Sequence, residues 1–260
     1  MPEAPDIQVY KECLDATSLH HKVTHMETRD TRILDETSRQ KLTAALSRGS
    51  LDQVTRHGKH LFLRTDRAQW LHIHFGMTGY VLYYKRERGE PDHARVILTF
   101  ANGFHLALVS QRLLGTVGLV EDPQTFVAEE GLGPDVLSVA KEEFVDILGG
   151  RRGYLKSTLM NQSLIAGVGN VYSDEILFHA RLLPDHRTAS LDADALGGLW
   201  NTTQDVLHKA IDARADVENM PDDWLLPHRS KGEHCPVCGG TVSTKKISGR
   251  RSYFCTHCQH

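Results

Sequence analysis

The chain has 260 residues, of which 40% are hydrophobic and 24% charged, and a formal net charge of −3. These values are typical of a globular protein with one large domain or two smaller ones, and they exclude a globally positive surface, so binding to nucleic acid must rest on local patches. The apolar runs fall far short of a membrane span and no signal sequence opens the chain, which favours a cytoplasmic protein without a membrane partner.

The chain begins Met1-Pro2-Glu3, and a residue as small as proline at position 2 normally allows Met1 to be removed. Pro2 would then carry a free secondary amine. The pKa of an α-amino group is about 8, against about 10.4 for lysine, so far more of the amine is neutral at pH 7. A neutral amine beside a carboxylate suits Schiff-base chemistry on a sugar aldehyde. Alternatively, these residues only introduce a helix expected over 6–17.

Short β-rich runs separated by turn residues extend over residues 22–121. Strands at this spacing predict an antiparallel β-sandwich, interrupted by one helix over 36–47. The clearest hairpin turn is Asn102-Gly103. A second turn at 56–60 places cationic and titratable side chains around a glycine, and a plain exposed turn is the alternative interpretation.

From residue 123 the apolar spacing becomes helical, and glycines and a proline at 131–134 mark a domain boundary. Helices are expected over 138–148, with Ser138 as N-cap, and over 155–162 and 192–214.

Two glycines in the segment Ala166-Gly167-Val168-Gly169-Asn170 stand where one helix gives way to the next. Backbone N–H groups at the start of the second helix are well placed to hold a phosphate, although a tight helix–helix turn is the plainer interpretation. The acidic segment 212–223 is a candidate mobile loop.

The last 26 residues contain two Cys-x-x-Cys pairs sixteen residues apart. This spacing predicts one structural Zn²⁺ held by four thiolates, and the alternative, two disulfides, suits a secreted chain better. The four ligands are Cys235, Cys238, Cys255 and Cys258.

The residues between the cysteine pairs read strand, glycine-marked turn, strand, which predicts a β-hairpin with a basic tip. From Arg229 to the end there are six Lys or Arg and one acid, Glu233. A metal-stabilised hairpin with a cationic tip can place an arginine in a nucleic-acid groove, whereas a solvated charged surface is the alternative.

Taken together, these motifs resemble the formamidopyrimidine-DNA glycosylase / endonuclease VIII family of base-excision repair enzymes along essentially the whole chain. Four motifs agree in order: the Met-Pro-Glu start, the Gly58-Lys59 turn, the helix–two-turn–helix at 166–170, and the zinc hairpin ending in Cys-x-x-Cys-Gln.

The resemblance implies a two-domain α+β fold. Residues 1–130 would form a catalytic β-sandwich domain with flanking helices, 134–227 a helix–two-turn–helix DNA-binding domain, and 228–260 a zinc finger with one structural Zn²⁺. The family's partner is damaged double-stranded DNA, and a monomer is expected.

The resemblance also implies a bifunctional glycosylase and AP lyase. Pro2 would attack C1′ of the damaged nucleotide and form a Schiff base, Glu3 would be the acid/base partner, and Lys59 would contact the phosphate at the lesion and assist catalysis. β- and δ-elimination would follow. The proposed chemistry agrees with a neutral amine next to a carboxylate.

The resemblance also implies DNA contacts for residues of this chain that match the family's DNA-contacting positions. Asn170 matches the asparagine that holds a lesion-flanking phosphate, and Arg250 matches the hairpin arginine, although Arg251 is adjacent and the choice depends on register alone. Lys156 is a further candidate phosphate contact.

A base must be extruded before its sugar can react, and the family fills the hole with a three-residue wedge. Met77, Arg112 and Leu114 match the wedge positions. Leu114 replaces the usual phenylalanine, Ser110-Gln111 replaces Asp-Pro, and the arginine after Arg112 is absent.

Other departures are Asn161 for an aspartate and Asp6 for a glutamate. Because the catalytic set is intact, we interpret the departures as substrate tuning, with oxidised or ring-opened purines first and oxidised pyrimidines second. Two other classes stay open: a damaged-DNA-binding protein that does not cut, if Met1 is retained, and a zinc-ribbon adaptor that binds protein.

Overall fold

The computed structural model describes the backbone of residues 1–260 and every side chain except that of Arg86. The chain forms two compact units, Met1–Pro2 with Ile7–Glu130, and Glu3–Asp6 with Gly131–His260. This is the predicted two-domain α+β organisation, but four N-terminal residues belong to the second unit. In the part of the chain described, no helix has the length and apolar character needed to cross a bilayer.

The first unit consists of two four-stranded antiparallel sheets with short helices. One sheet has the strand order β1-β6-β7-β5 and the other β2-β3-β4-β8. The elements are α1 (Ala4–Thr17, whose first residues lie in the second unit), β1 (Val23–Thr28), α2 (Arg39–Leu46), β2 (Leu51–His57), β3 (His60–Thr65), β4 (Trp70–His74), β5 (Tyr80–Lys85), β6 (Ala94–Phe100), β7 (Phe104–Val109), β8 (Thr116–Val120) and α3 (Pro123–Glu129).

The sheets pack face to face. In strands such as β4 and β5 every second residue points to the shared core, so each sheet presents an apolar face to the other. Leu61 and Leu63 of one sheet and Leu98 and Leu106 of the other lie in the same buried cluster. Asn102-Gly103 turns β6 into β7, as predicted: Gly103 has a φ of 82° and the Asn102 side chain accepts from the Phe104 N–H.

The second unit is helical and ends in a two-stranded antiparallel hairpin. Its elements are α4 (Lys141–Leu148), α5 (Leu155–Leu159), α6 (Asn170–His179), α7 (Ala193–Asp212), β9 (Val242–Ile247) and β10 (Arg250–Cys255). The predicted N-cap Ser138 is wrong. The cap of α4 is Ala140, which makes no side-chain capping bond, and Ser138 instead follows Asp135 in a turn.

A separate core holds the second unit together. Phe144, Leu177 and Trp224 are almost fully buried in it, and Ala4 joins the same cluster. The acidic segment 212–223 contains a 3-10 turn at Val217–Asn219 and is anchored by the buried Met220.

Candidate active site and nucleic-acid interface

Glu3, one of the predicted catalytic residues, is held tightly at the start of α6. Its side chain is 1% exposed, and its carboxylate accepts three backbone N–H groups at the start of α6. The donors are Gly169 at 2.7 Å, Val171 at 2.8 Å and Tyr172 at 3.1 Å. The positive end of a helix dipole and three unsatisfied N–H groups favour an anion there. Glu3 therefore occupies three of the N–H groups that the sequence analysis considered for a phosphate.

The turn before α6 is held by side-chain hydrogen bonds and binds the backbone of the N-terminal segment. The Gln162 amide bridges it, donating to the Val168 carbonyl at 2.8 Å and accepting from the Gly167 N–H at 3.0 Å. Gly167 has a φ of 124°, and its carbonyl accepts from the Ala4 N–H at 3.0 Å. Glu3 is thus fixed both by its side chain and by the next peptide group. Asn170 is the first residue of α6, and its Oδ1 is buried without a protein partner among the described residues.

Asp6 sits one turn after Glu3 and accepts the Glu3 N–H at 2.9 Å. Burial raises the pKa of this carboxyl from 3.8 to about 6. The shorter side chain in place of the family's glutamate therefore holds the backbone directly after Pro2.

Replacing Asp6 by Asn should change how stability depends on pH. The pKa of Asp6 is about 6 in the folded protein and about 3.9 in the unfolded chain. Between about pH 3.9 and about pH 6 the Asp6 carboxyl is therefore protonated in the folded protein but ionised in the unfolded chain. Wild-type stability therefore gains from Asp6 as pH falls through 6, and Asp6→Asn lacks this gain. Urea unfolding should show the wild-type advantage growing by about 1 kcal/mol from pH 7 to pH 5. A pH-independent difference between the two proteins would contradict the raised pKa.

Lys59 lies in the two-residue turn between β2 and β3, where Gly58 has a φ of 55°. Its side chain is 6% exposed. The Arg56 guanidinium donates to the Gly58 carbonyl at 2.9 Å and to the Gln8 side chain at 3.1 Å, which fixes the turn.

Behind this turn lies a histidine cluster that sequence reasoning did not find. His60 Nδ1 and His72 Nε2 are 2.9 Å apart, so one ring donates to the other, and the Phe126 ring lies 4.2 Å from that of His72. Burial lowers the pKa of His60 to about 2 and that of His72 to about 3. The pair is therefore neutral at physiological pH and packs as part of the domain interior.

The three predicted wedge residues lie on two touching loops of the first unit. A Cβ on Gly76 would come within 2.4 Å of the Leu114 carbonyl, so only glycine allows the loops to meet. Met77 is 43% and Leu114 49% exposed, and Arg112 is exposed. Exposed apolar side chains of this size are what a wedge requires, and the wedge role of these residues stays a prediction.

Lys156 lies in a buried ion-pair network. Its side chain is 1% exposed, and its ammonium contacts Asp174 Oδ1 at 2.6 Å. Arg229 donates to Asp174 Oδ2 at 2.8 Å. Lys156 also donates to the carbonyls of Asn170 and Arg251, both at 3.4 Å. Burial lowers the pKa of Lys156 and raises that of Asp174. The ammonium thus faces the protein, and its contacts are with the start of α6 and with the hairpin.

The four predicted zinc ligands meet at the base of the hairpin. Their sulfur atoms lie within 4.8 Å of one another, with Cys235 and Cys258 separated by 3.7 Å and Cys238 and Cys255 by 3.5 Å. Tetrahedral zinc with Zn–S bonds of about 2.3 Å requires sulfur separations of about 3.8 Å, whereas a disulfide requires about 2.05 Å. The set therefore fits one structural Zn²⁺, as predicted. The Gln259 side chain accepts from the Cys255 N–H at 2.8 Å and donates to the Leu182 carbonyl at 2.8 Å.

Cys238→Ser should release the metal and unfold the hairpin, because structural zinc supplies about 10–16 kcal/mol of folding free energy. Zinc content should fall from one ion per chain to none and DNA binding should be lost, while the β-sandwich stays folded. Cys13→Ser is the matched control, since Cys13 lies in α1 and should keep the zinc. Undiminished DNA affinity in metal-free Cys238→Ser would contradict a role for the hairpin in binding.

Comparisons with known proteins cover the chain in three segments. Residues 1–117 match the formamidopyrimidine-DNA glycosylase N-terminal domain, residues 131–221 the H2TH domain of the same enzyme, and residues 232–260 a zinc finger found in FPG and IleRS.

Curated relatives agree along the full length. The formamidopyrimidine-DNA glycosylase of Syntrophomonas wolfei is 31% identical, with all of both chains covered, and that of Pelotomaculum thermopropionicum is 28% identical over all of this chain and 99% of its own. Among solved structures, Lactococcus lactis formamidopyrimidine-DNA glycosylase bound to DNA containing an AP site superposes with a TM-score of 0.88 at 24% identity, covering 99% of both chains.

Proposed function

Because this chain belongs to the formamidopyrimidine-DNA glycosylase family, we propose that it is a bifunctional DNA glycosylase and AP lyase acting as a cytoplasmic monomer on damaged double-stranded DNA. The observation that carries the proposal is the Glu3 carboxylate, held by three N–H groups directly after Pro2. Burying a carboxylate costs free energy unless it is fully hydrogen-bonded. The three bonds therefore hold the Glu3 side chain in one rotamer, positioned in advance of the reaction.

In the proposed mechanism the Pro2 amine, freed by loss of Met1, attacks C1′ of the damaged nucleotide. The N–C1′ bond forms as the glycosidic bond breaks and the base leaves with its electron pair. Glu3 takes the proton that the Pro2 nitrogen loses after the attack and gives it to the sugar ring oxygen. The ring opens to an iminium, and β- and δ-elimination break the two C–O bonds to phosphate. A positioned acid/base group contributes about 10²–10⁴-fold to such proton transfers.

The proposed DNA contacts fall into two groups, one at the phosphates and one at the extruded base. We assign Lys59, Asn170 and Arg250 to backbone phosphates, and Met77, Arg112 and Leu114 to the space left by the extruded base. For Lys156 we propose an indirect role, because its buried ammonium holds the carbonyls of Asn170 and Arg251.

Oxidised purines, ring-opened ones above all, are the proposed first substrates, and oxidised pyrimidines the second. The 31% identical relative is a formamidopyrimidine-DNA glycosylase, and a formamidopyrimidine is a purine whose imidazole ring has opened. A protein of the same fold that binds damaged DNA without cutting it is the alternative if Met1 is retained.

The substrate test uses duplexes with a ring-opened guanine, 8-oxoguanine or an oxidised pyrimidine, analysed by the ends of the cut strand. The proposal expects cleavage fastest at the ring-opened guanine, with phosphate at both new ends, as β,δ-elimination requires. Fastest cleavage at the pyrimidine would overturn the substrate order, and an aldehyde-bearing 3′ end would overturn δ-elimination.

A further inference from the structure

The zinc hairpin presents different cationic residues on its two faces. In its antiparallel register Arg250 pairs with Ile247 and Arg251 pairs with Lys246. Directly paired residues share a face and successive residues alternate, so Arg250 and Arg251 point to opposite sides. Arg250 alone is assigned to the lesion-flanking phosphate, which leaves the face with Arg251 and Lys246 without a function.

Arg251 and Lys246 form an opposed pair of like charges. Both are exposed, and they are the second pair from a tight turn in which Ser248 and Gly249 have φ values of 46° and 80°. This pair lacks direct ladder hydrogen bonds, and side chains of such pairs lie closest across the strands. Like charges directly opposite are unfavourable, so a bound anion would offset their repulsion.

Neighbouring cations are neutralised, whereas these two are not. Lys245 is ion-paired with Asp185, and Arg229 with Asp174. Among the described residues, no ion pair involves Lys246 or Arg251.

The pair borders a groove of about 470 Å³, lined also by Thr244, Lys245 and Gly249. The backbone under it is fixed before any ligand binds. The Arg251 carbonyl accepts from the buried Lys156 at 3.4 Å, and the Tyr253 N–H donates to Asp174 at 3.2 Å. A groove with a rigid floor loses little conformational entropy on binding.

We propose that Lys246 and Arg251 bind a second phosphodiester of the DNA, separate from the one assigned to Arg250. The guanidinium offers a planar fork to two phosphate oxygens, and the ammonium adds a point charge. This inference rests on the proposed function for its ligand. Because the contact is with backbone phosphate, it adds affinity for any duplex and carries no information about the lesion.

The test measures duplex affinity against salt for wild type, Arg251→Gln/Lys246→Gln and a control, Lys209→Gln, which removes an exposed charge from α7. The duplexes are undamaged DNA and DNA with a tetrahydrofuran abasic analogue. The double variant should lower the slope of log K against log salt by about 0.9, the value for one phosphate, equally on both duplexes. Affinity at low salt should fall on the order of tenfold, and one zinc per chain should remain.

A slope equal to that of the control, or a loss confined to the abasic analogue, would overturn the second phosphate site. Borohydride trapping of the wild-type protein separates this outcome from failure of the enzymatic proposal. If the wild type forms no trapped adduct but the slope still falls, the hairpin site stands and the lyase proposal fails.

Discussion

Glu3→Gln is expected to lower the rate of strand cleavage by about 10²–10⁴-fold, because an amide cannot exchange the proton that the sugar ring requires. The same change should destabilise the protein by about 1–3 kcal/mol, since the amide NH₂ must face backbone N–H donors. Gly169 and Tyr172 donate to one carboxylate oxygen and Val171 to the other, so neither orientation of the amide satisfies all three.

Single-turnover cleavage of an abasic-site duplex and urea unfolding would measure the two effects. Glu142→Gln is the matched control, because Glu142 lies exposed in the first turn of α4. Cleavage within threefold of wild type would remove Glu3 from the chemistry and leave it as a structural cap of α6.

Asp174→Ala is expected to cost about 3–5 kcal/mol of unfolding free energy, because it leaves the buried Lys156 ammonium without its carboxylate. Asp174 is 0% exposed and accepts from Lys156, Arg229 and the Tyr253 N–H. Its loss should also weaken DNA binding, since one network fixes the hairpin and the start of α6.

Chemical denaturation and duplex affinity would test this prediction, with Asp205→Ala as control. Asp205 forms an exposed ion pair with Lys209, and such pairs contribute at most about 1 kcal/mol. Equal destabilisation by the two variants would show that the buried network has no special weight.

Sequence reasoning succeeded where chemistry dictates spacing. Four thiols in two Cys-x-x-Cys pairs predicted the zinc site, and alternating apolar residues predicted the sandwich, because both patterns are local along the chain. Asn102-Gly103 predicted its hairpin because it requires a positive φ that glycine adopts freely.

It failed where distant residues compete for the same groups. Three of the N–H groups at the start of α6 are taken by Glu3, more than 160 residues earlier in the chain. Lys156 was expected at a phosphate, but Asp174 draws its ammonium into the interior. The sequence places Lys156 on the short helix α5 and Asp174 on the buried face of α6. No rule of sequence spacing predicts that two such residues form an ion pair.

The neutral His60–His72 pair shows the same limit. Alternation along β4 places His72 on one sheet face, but only the packing of α3 shows that this face is covered.

The central claim, that Pro2 is the nucleophile, is tested most directly by borohydride trapping on an abasic-site duplex. The protein would be tag-free, with loss of Met1 established by intact mass. A covalent protein–DNA adduct that is lost in Pro2→Gly is the predicted result. No adduct from the Met1-free protein, or an undiminished adduct in Pro2→Gly, would contradict it.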